Sequence, residues 1–192
     1  LMNNNHLITA ENIGYKINEN KLFHNLSFDV GQGEALHILG DNGSGKSTLI
    51  RIILGITKQT KGSIKNNSLK GMAYLGHKNA IKNYLTLEDN ILLMELNDNI
   101  NLNKFIEVLN LKKYMDVLAA NLSFGQQKKL ALLRIFLNNS DLIVLDEPFV
   151  GLDLETQNIL SEFLNNQLKM SKSIIYTSHI PCQIESKTLT IK

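Results

Sequence analysis

Residues 34–56 read EALHILGDNGSGKSTLIRIILGI, and a change of period inside this stretch decides the fold. EALHILG is a compact apolar run, the pattern of a strand buried on both faces of a parallel sheet. From Thr48 onward Leu49, Ile52, Ile53 and Ile56 recur at helical spacing instead. Between the two periods lies G-x4-G-K-S: Gly40, then Asp41, Asn42, Gly43 and Ser44, then Gly45, Lys46 and Ser47, with Thr48 following. Glycines here let successive backbone N–H groups curl around an anion with no Cβ in the way. The helix that follows offers further free N–H groups and the positive end of its dipole. Lys46 is placed to neutralise the β- and γ-phosphates of a nucleotide, and the Ser47 hydroxyl suits Mg²⁺. A ligand-free glycine-rich turn would also join a strand to a helix. The order strand, loop, helix favours the phosphate site.

Outward from this loop, strand patterns alternate with helical ones. HLITAEN and KLFHNLSFDV read as strands closed by a turn at Gly31-Gln32-Gly33, and GSIKN and MAYLG as two more joined by a short loop. LTLEDNILLMEL, NLNKFIEVLNL and KKYMDVLAA read as helices, followed by a helix capped at Ser123. DLIVLDEP is a buried strand, residues 153–170 a helix, SIIYTSH a strand and SKTLTIK a short closing segment. The expectation is one α/β domain over 1–192, a mainly parallel sheet with a small N-terminal antiparallel region. A helical subdomain over about 86–138 is inserted in it.

Composition excludes several classes. With 20 basic and 18 acidic residues the net charge is +2, so nothing marks the chain as a nucleic-acid binder. Cys182 is the single cysteine, which rules out an internal disulfide framework and reads as structural or incidental. No apolar run reaches the roughly 18 residues of a spanning helix, and the first residues lack a leader pattern. The expectation is a chain soluble in the cytoplasm, any membrane span being supplied by a partner.

In LIVLDEP two carboxylates follow a buried strand, where ligands bind in open α/β sheets. Asp146 can hold Mg²⁺ opposite Ser47, while Glu147 can orient or deprotonate a water. Upstream, LSFGQQ pairs a helix-capping Ser123 with Gly125, which lets a phosphate approach the backbone.

Together GDNGSGKST, LSFGQ and LIVLDEP resemble the ATP-binding cassette (ABC) family, a branch of the P-loop NTPases, over nearly the whole chain. The resemblance implies ATP and Mg²⁺ as ligands and a head-to-tail pair of identical chains. ATP would then lie between the phosphate loop of one copy and Ser123, Phe124, Gly125 and Gln126 of the other. It further implies that Asp153 in GLD belongs to the loop after the catalytic Glu147, and that His179 reaches the γ-phosphate. Alone, His179 would be an ordinary strand-end histidine. Phe124 departs from the commoner glycine at its position. The family stacks adenine on an aromatic ring near position 17, which is isoleucine here. Tyr15 is the nearby candidate, the alternative being a surface or core tyrosine.

In YLGHKNAIKNYLT (74–86), His77 stands where the family carries a sensor glutamine. A neutral imidazole can replace it at a metal-bound water; otherwise His77 only packs and the loop serves docking. This stretch, with LSFGQQKKLALLRIFL, LDEPFVGLD and TSHIPCQIESKTLTIK, resembles the CcmA family, the ATP-binding subunits of cytochrome c maturation (heme export) systems. That implies CcmB- and CcmC-like membrane-spanning partners and a peripheral position on the cytoplasmic face of the bacterial inner membrane; the alternatives are the ATPase subunit of another small exporter or lipid or lipoprotein extractor, and a soluble regulatory ATPase. No Cys-x-x-Cys-His is present, and His6, His24, His37 and His77 are scattered, so the residues themselves carry no heme chemistry.

Overall fold

The computed structural model describes residues 6–192; residues 1–5, which open the stretch read above as lacking a leader, lie outside the described residues. Strands β1 (His6–Ile17) and β2 (Asn20–Gly31) form an antiparallel hairpin. The phosphate-loop unit follows as β3 (Ala35–Leu39) and α1 (Lys46–Ile53). Next come β4 (Lys61–Asn66) and β5 (Met72–Leu75), then α2 (Leu87–Leu93), α3 (Leu102–Val108) and α4 (Phe124–Phe136). The chain ends with β6 (Leu142–Asp146), α5 (Leu154–Lys169), β7 (Ser173–Thr177) and β8 (Lys187–Thr190).

Two sheets result. β2-β1-β4 is antiparallel, and β5-β6-β7-β3-β8 is parallel throughout. β4 and β5, neighbours in sequence, therefore belong to different sheets. Strand β6 shows how the parallel sheet is covered, since all five of its residues are buried. Ile143 and Leu145 pack with Leu130, Leu133, Leu160 and Leu164 of α4 and α5 on one face. Leu142 and Val144 face the other way, onto Leu49, Ile52 and Ile53 of α1 and Ile8 and Ile13 of β1. Each such aliphatic side chain contributes about 1.5–3 kcal/mol through burial, so both faces hold the sheet in place.

Two expectations change. KKYMDVLAA forms two short 3-10 turns, Lys112–Tyr114 and Ala119–Asn121, in place of a helix. Leu118 is in extended conformation between them and bridges Thr86, which breaks the helical ladder. Ile56 lies beyond the end of α1, where Gly55 turns at φ 72°, and it is exposed. The expected turn at Gly31-Gln32-Gly33 is present and passes the chain from β2 to β3, in the other sheet. Cys182 is half-buried, its Sγ 3.6 Å from the Tyr176 hydroxyl.

Candidate functional site

β3, β6 and β7 run parallel with β7 in the middle, so their C-terminal ends open on one edge of the sheet. Residues 40–45 emerge there from β3 and feed α1. Gly45 is the helix N-cap at φ 103°; a Cβ on it would stand 2.7 Å from Leu22 Cδ2. No side chain caps α1 and no acidic residue lies in its first turn, so its leading N–H groups are left to an anion. Lys46 is buried and donates to the Gly40 carbonyl at 2.7 Å and the Asp41 carbonyl at 3.1 Å. The ammonium thus closes the loop upon itself. The buried Ser44 Oγ has no hydrogen-bond partner among the described residues.

At the end of β6, Asp146 is 3% exposed and its Oδ1 accepts from the Thr177 hydroxyl at 2.8 Å. The same Thr177 Oγ1 accepts from the Glu147 N–H at 2.9 Å. Glu147 lies in the left-handed region at φ 52°, uncommon for a residue with a side chain. Its Oε2 accepts from the His179 N–H at 3.2 Å. The His179 ring Nε2 stands 3.5 Å from Oε1 without hydrogen-bond geometry, leaving that buried oxygen unpartnered among the described residues. An acceptor held buried and free is suited to taking a proton from water.

A cleft of about 570 Å³ joins these groups, lined by Asn42, Gly43, Gly45–Thr48, His77, Asp146, Glu147 and His179. The oxygen donors Ser47 and Asp146 within one cleft fit a hard cation such as Mg²⁺. Ile17 and Leu22 of the first hairpin complete the wall. Tyr15 is not part of it. The β1–β2 register shifts on either side of Tyr15, and its ring turns toward Phe23, 6.3 Å away, beside the core. The aliphatic Ile17, half exposed, occupies the wall that the aromatic ring was expected to supply.

LSFGQ lies elsewhere. Ser123 caps α4, its Oγ accepting from the Gln126 N–H while Gln126 Oε1 accepts from the Ser123 N–H at 2.7 Å. Ser123, Gly125 and Gln126 line a second cleft of about 640 Å³ together with Lys129, Gly151 and Asp153. Gly125 is already needed within the chain, because a Cβ there would be 2.7 Å from the Gly151 carbonyl oxygen. A Cβ on Gly151 would in turn collide with the half-exposed Phe124 ring. Asp153 caps α5 by accepting from the Thr156 N–H and hydroxyl, and pairs with Lys129 at 2.7 Å. The ion pair first, then the Thr156 donors, hold its carboxyl down to about 2.

Several residues important to this geometry were not singled out from the sequence. Thr177 bridges Asp146 and Glu147. Arg134 of α4 donates to the Asn79 carbonyl at 2.6 Å, and the buried Asn90 of α2 accepts from the Lys82 N–H and donates to the Thr86 carbonyl. These bonds fix the loop that carries His77. Lys128, 1% exposed, donates to the Glu147 carbonyl at 3.2 Å. A signal existed for it, since Lys128 shares the inward helical spacing of Ala131, Leu132 and Ile135.

The ABC transporter family model matches residues 23–150, from β2 through the carboxylates. A cytochrome c biogenesis ATP-binding export protein CcmA from Xanthomonas campestris pv. campestris is 34% identical over 185 residues, covering 90% of this chain and 86% of that protein. One of the same name from Histophilus somni is 32% identical, covering 93% and 88%. Among solved structures, the ATP-binding subunit of an ABC transporter superposes with TM-score 0.80 at 26% identity, covering 91% of this chain and 80% of that one. A dimeric ATP-binding cassette shares the fold at TM-score 0.75 and 23% identity, covering 90% and 88%. With its phosphate loop, paired carboxylates and parallel sheet in this register, the chain belongs to the ABC transporter family as an ATP-binding protein similar to CcmA.

Proposed function

We propose that this chain is the ATP-hydrolysing subunit that drives a membrane partner in heme export or cytochrome c biogenesis. The observation that carries the finer reading is its similarity, over nine-tenths of its length, to proteins named for that process. In the cleft, backbone N–H groups of residues 43–48 and the Lys46 ammonium receive the nucleotide phosphates. Ser47 and Asp146 would hold Mg²⁺, which supplies charge neutralisation at the β- and γ-phosphates. Glu147 orients a water and accepts its proton as the water oxygen attacks the γ-phosphorus. The bond from that phosphorus to the bridging oxygen breaks, and ADP leaves. His179 stands beside Glu147 to contact the γ-phosphate, and His77 faces the same cleft from the loop after β5.

None of the helices described is long and apolar enough to cross a membrane, so the partner supplies the span, as CcmB- and CcmC-like subunits would. In this reading residues 1–192 act as one cassette, and the helical segment over about 86–138 is the part that meets the partner. The deciding experiment is clean deletion of the gene in its native host, scored by heme-stained c-type cytochromes. Their loss, restored by the parent gene and not by the E147Q form, is the expected result. Undiminished c-type cytochromes would overturn the heme-maturation reading.

A further inference from the structure

α4 begins at the face occupied by Ser123 and Gly125, packs against β5, and reaches the residue after β6 through Lys128. Along it lie Lys128, Lys129 and Arg134, and each reaches a different loop of the site. Lys129 pairs with Asp153, Arg134 donates to the Asn79 carbonyl, and Lys128 donates to the Glu147 carbonyl. Lys128 is the unusual one. A lysine 1% exposed gives up its hydration, and burial lowers its pKa, against which the nearby Asp146 and Glu147 charges act. Such a side chain is seldom buried for packing alone, because a leucine or methionine would fill the volume without that cost.

What it touches explains the placement. Glu147 is the residue at φ 52°, and a residue bearing a side chain holds that conformation only where its surroundings fix it. Two bonds fix it here, one at each end of the residue: Thr177 Oγ1 accepts from its N–H, and Lys128 Nζ donates to its carbonyl. With both made, the side chain is delivered to His179 and the cleft. With the second lost, no hydrogen bond among the described residues holds the Glu147 carbonyl, and the left-handed backbone that aims the carboxylate is less firmly fixed.

We propose that Lys128 is a positioning residue for Glu147: its ammonium, donating to the Glu147 carbonyl, holds the left-handed backbone and links the carboxylate to the helix that starts at Ser123. The inference rests on the ATPase reading above. It makes Lys128 a route by which a second copy docking at Ser123 is felt at the hydrolytic residue. Lys128 itself does not line the cleft.

The test is steady-state ATP hydrolysis with nucleotide binding measured in parallel, on the parent chain, E147Q, K128M, K128Q and K128R. K128M fills the volume and removes the donor; it is expected to lower kcat at least about tenfold while KM and nucleotide affinity stay within about twofold. K128Q keeps an uncharged donor and should fall between. K128R keeps cation and donors and should recover activity to within about threefold of the parent. If K128M does not fold, K128Q decides on the same split. A folded K128M with kcat within twofold of the parent overturns the proposal. So does a variant set in which thermal stability falls while kcat does not, or in which kcat and affinity fall together. A parent chain without E147Q-sensitive turnover would instead sink the ATPase reading, and this inference with it.

Discussion

His77 and Tyr15 show how far a single residue's surroundings decide its part. Both were named for the nucleotide, yet only His77 lines the cleft; Tyr15 has been turned into the Phe23 contact by irregular strand register. His77 is exposed, while its neighbour Asn79 is buried with its carbonyl bound by Arg134. The loop is therefore anchored at one residue and open at the other. An imidazole on the open side can meet a metal-bound water, as a glutamine amide would. H77Q is expected to keep turnover within about threefold of the parent, and H77A to lower it at least about tenfold. An H77A form that turns over as fast as the parent would leave His77 with no part in the chemistry.

Among elements, the β3–α1 unit was readable because everything it needs is local: an apolar run, glycines at fixed intervals and an immediate helical period. The Ser123 cap was legible for the same reason. KKYMDVLAA was not, because its backbone is bridged to Thr86, a contact made across the chain. Nor could local pattern say that β4 pairs with β1 while β5 pairs with β6. The three cations of α4 find their partners only when the sheet edge assembles. The Lys129–Asp153 pair, which joins α4 to the N-terminus of α5, can be tested as an element-level contact. Its folded carboxyl pKa of about 2 lies below the ordinary 3.8, so its stabilisation is present above about pH 4 and lost as pH falls through 2. Asp153 is 56% exposed, so the worth of the pair is screened to about 1 kcal/mol or less. In urea unfolding, D153N is expected to be less stable than the parent at pH 7, with the gap narrowing toward pH 3. A gap that stays constant with pH would show that the carboxylate's charge is not what matters.

For the whole molecule, the decisive feature is that one chain carries two different clefts. One holds the uncapped α1 N-terminus, Lys46 and the carboxylates; the other holds Ser123, Gly125 and Gly151. Neither surrounds a nucleotide alone, because the first is open to solvent and the second offers Ser123 without a cationic phosphate loop. Two copies turned head to tail would oppose unlike clefts twice over, making two closed sites from four half-sites. Such a dimer forms on ATP only if the closed state binds ATP more tightly than the open chain, each tenfold difference corresponding to about 1.4 kcal/mol. If hydrolysis at Glu147 removes that difference, replacing Glu147 should hold the pair together. E147Q is expected to bind ATP normally, to turn over at least about a hundredfold more slowly and to elute as a dimer only with ATP. E147Q/S123R should bind the nucleotide equally well and stay monomeric, since an arginine obstructs the second cleft and leaves the first intact. A monomeric E147Q at saturating ATP, or dimers of E147Q/S123R, would mean that the two clefts do not face each other.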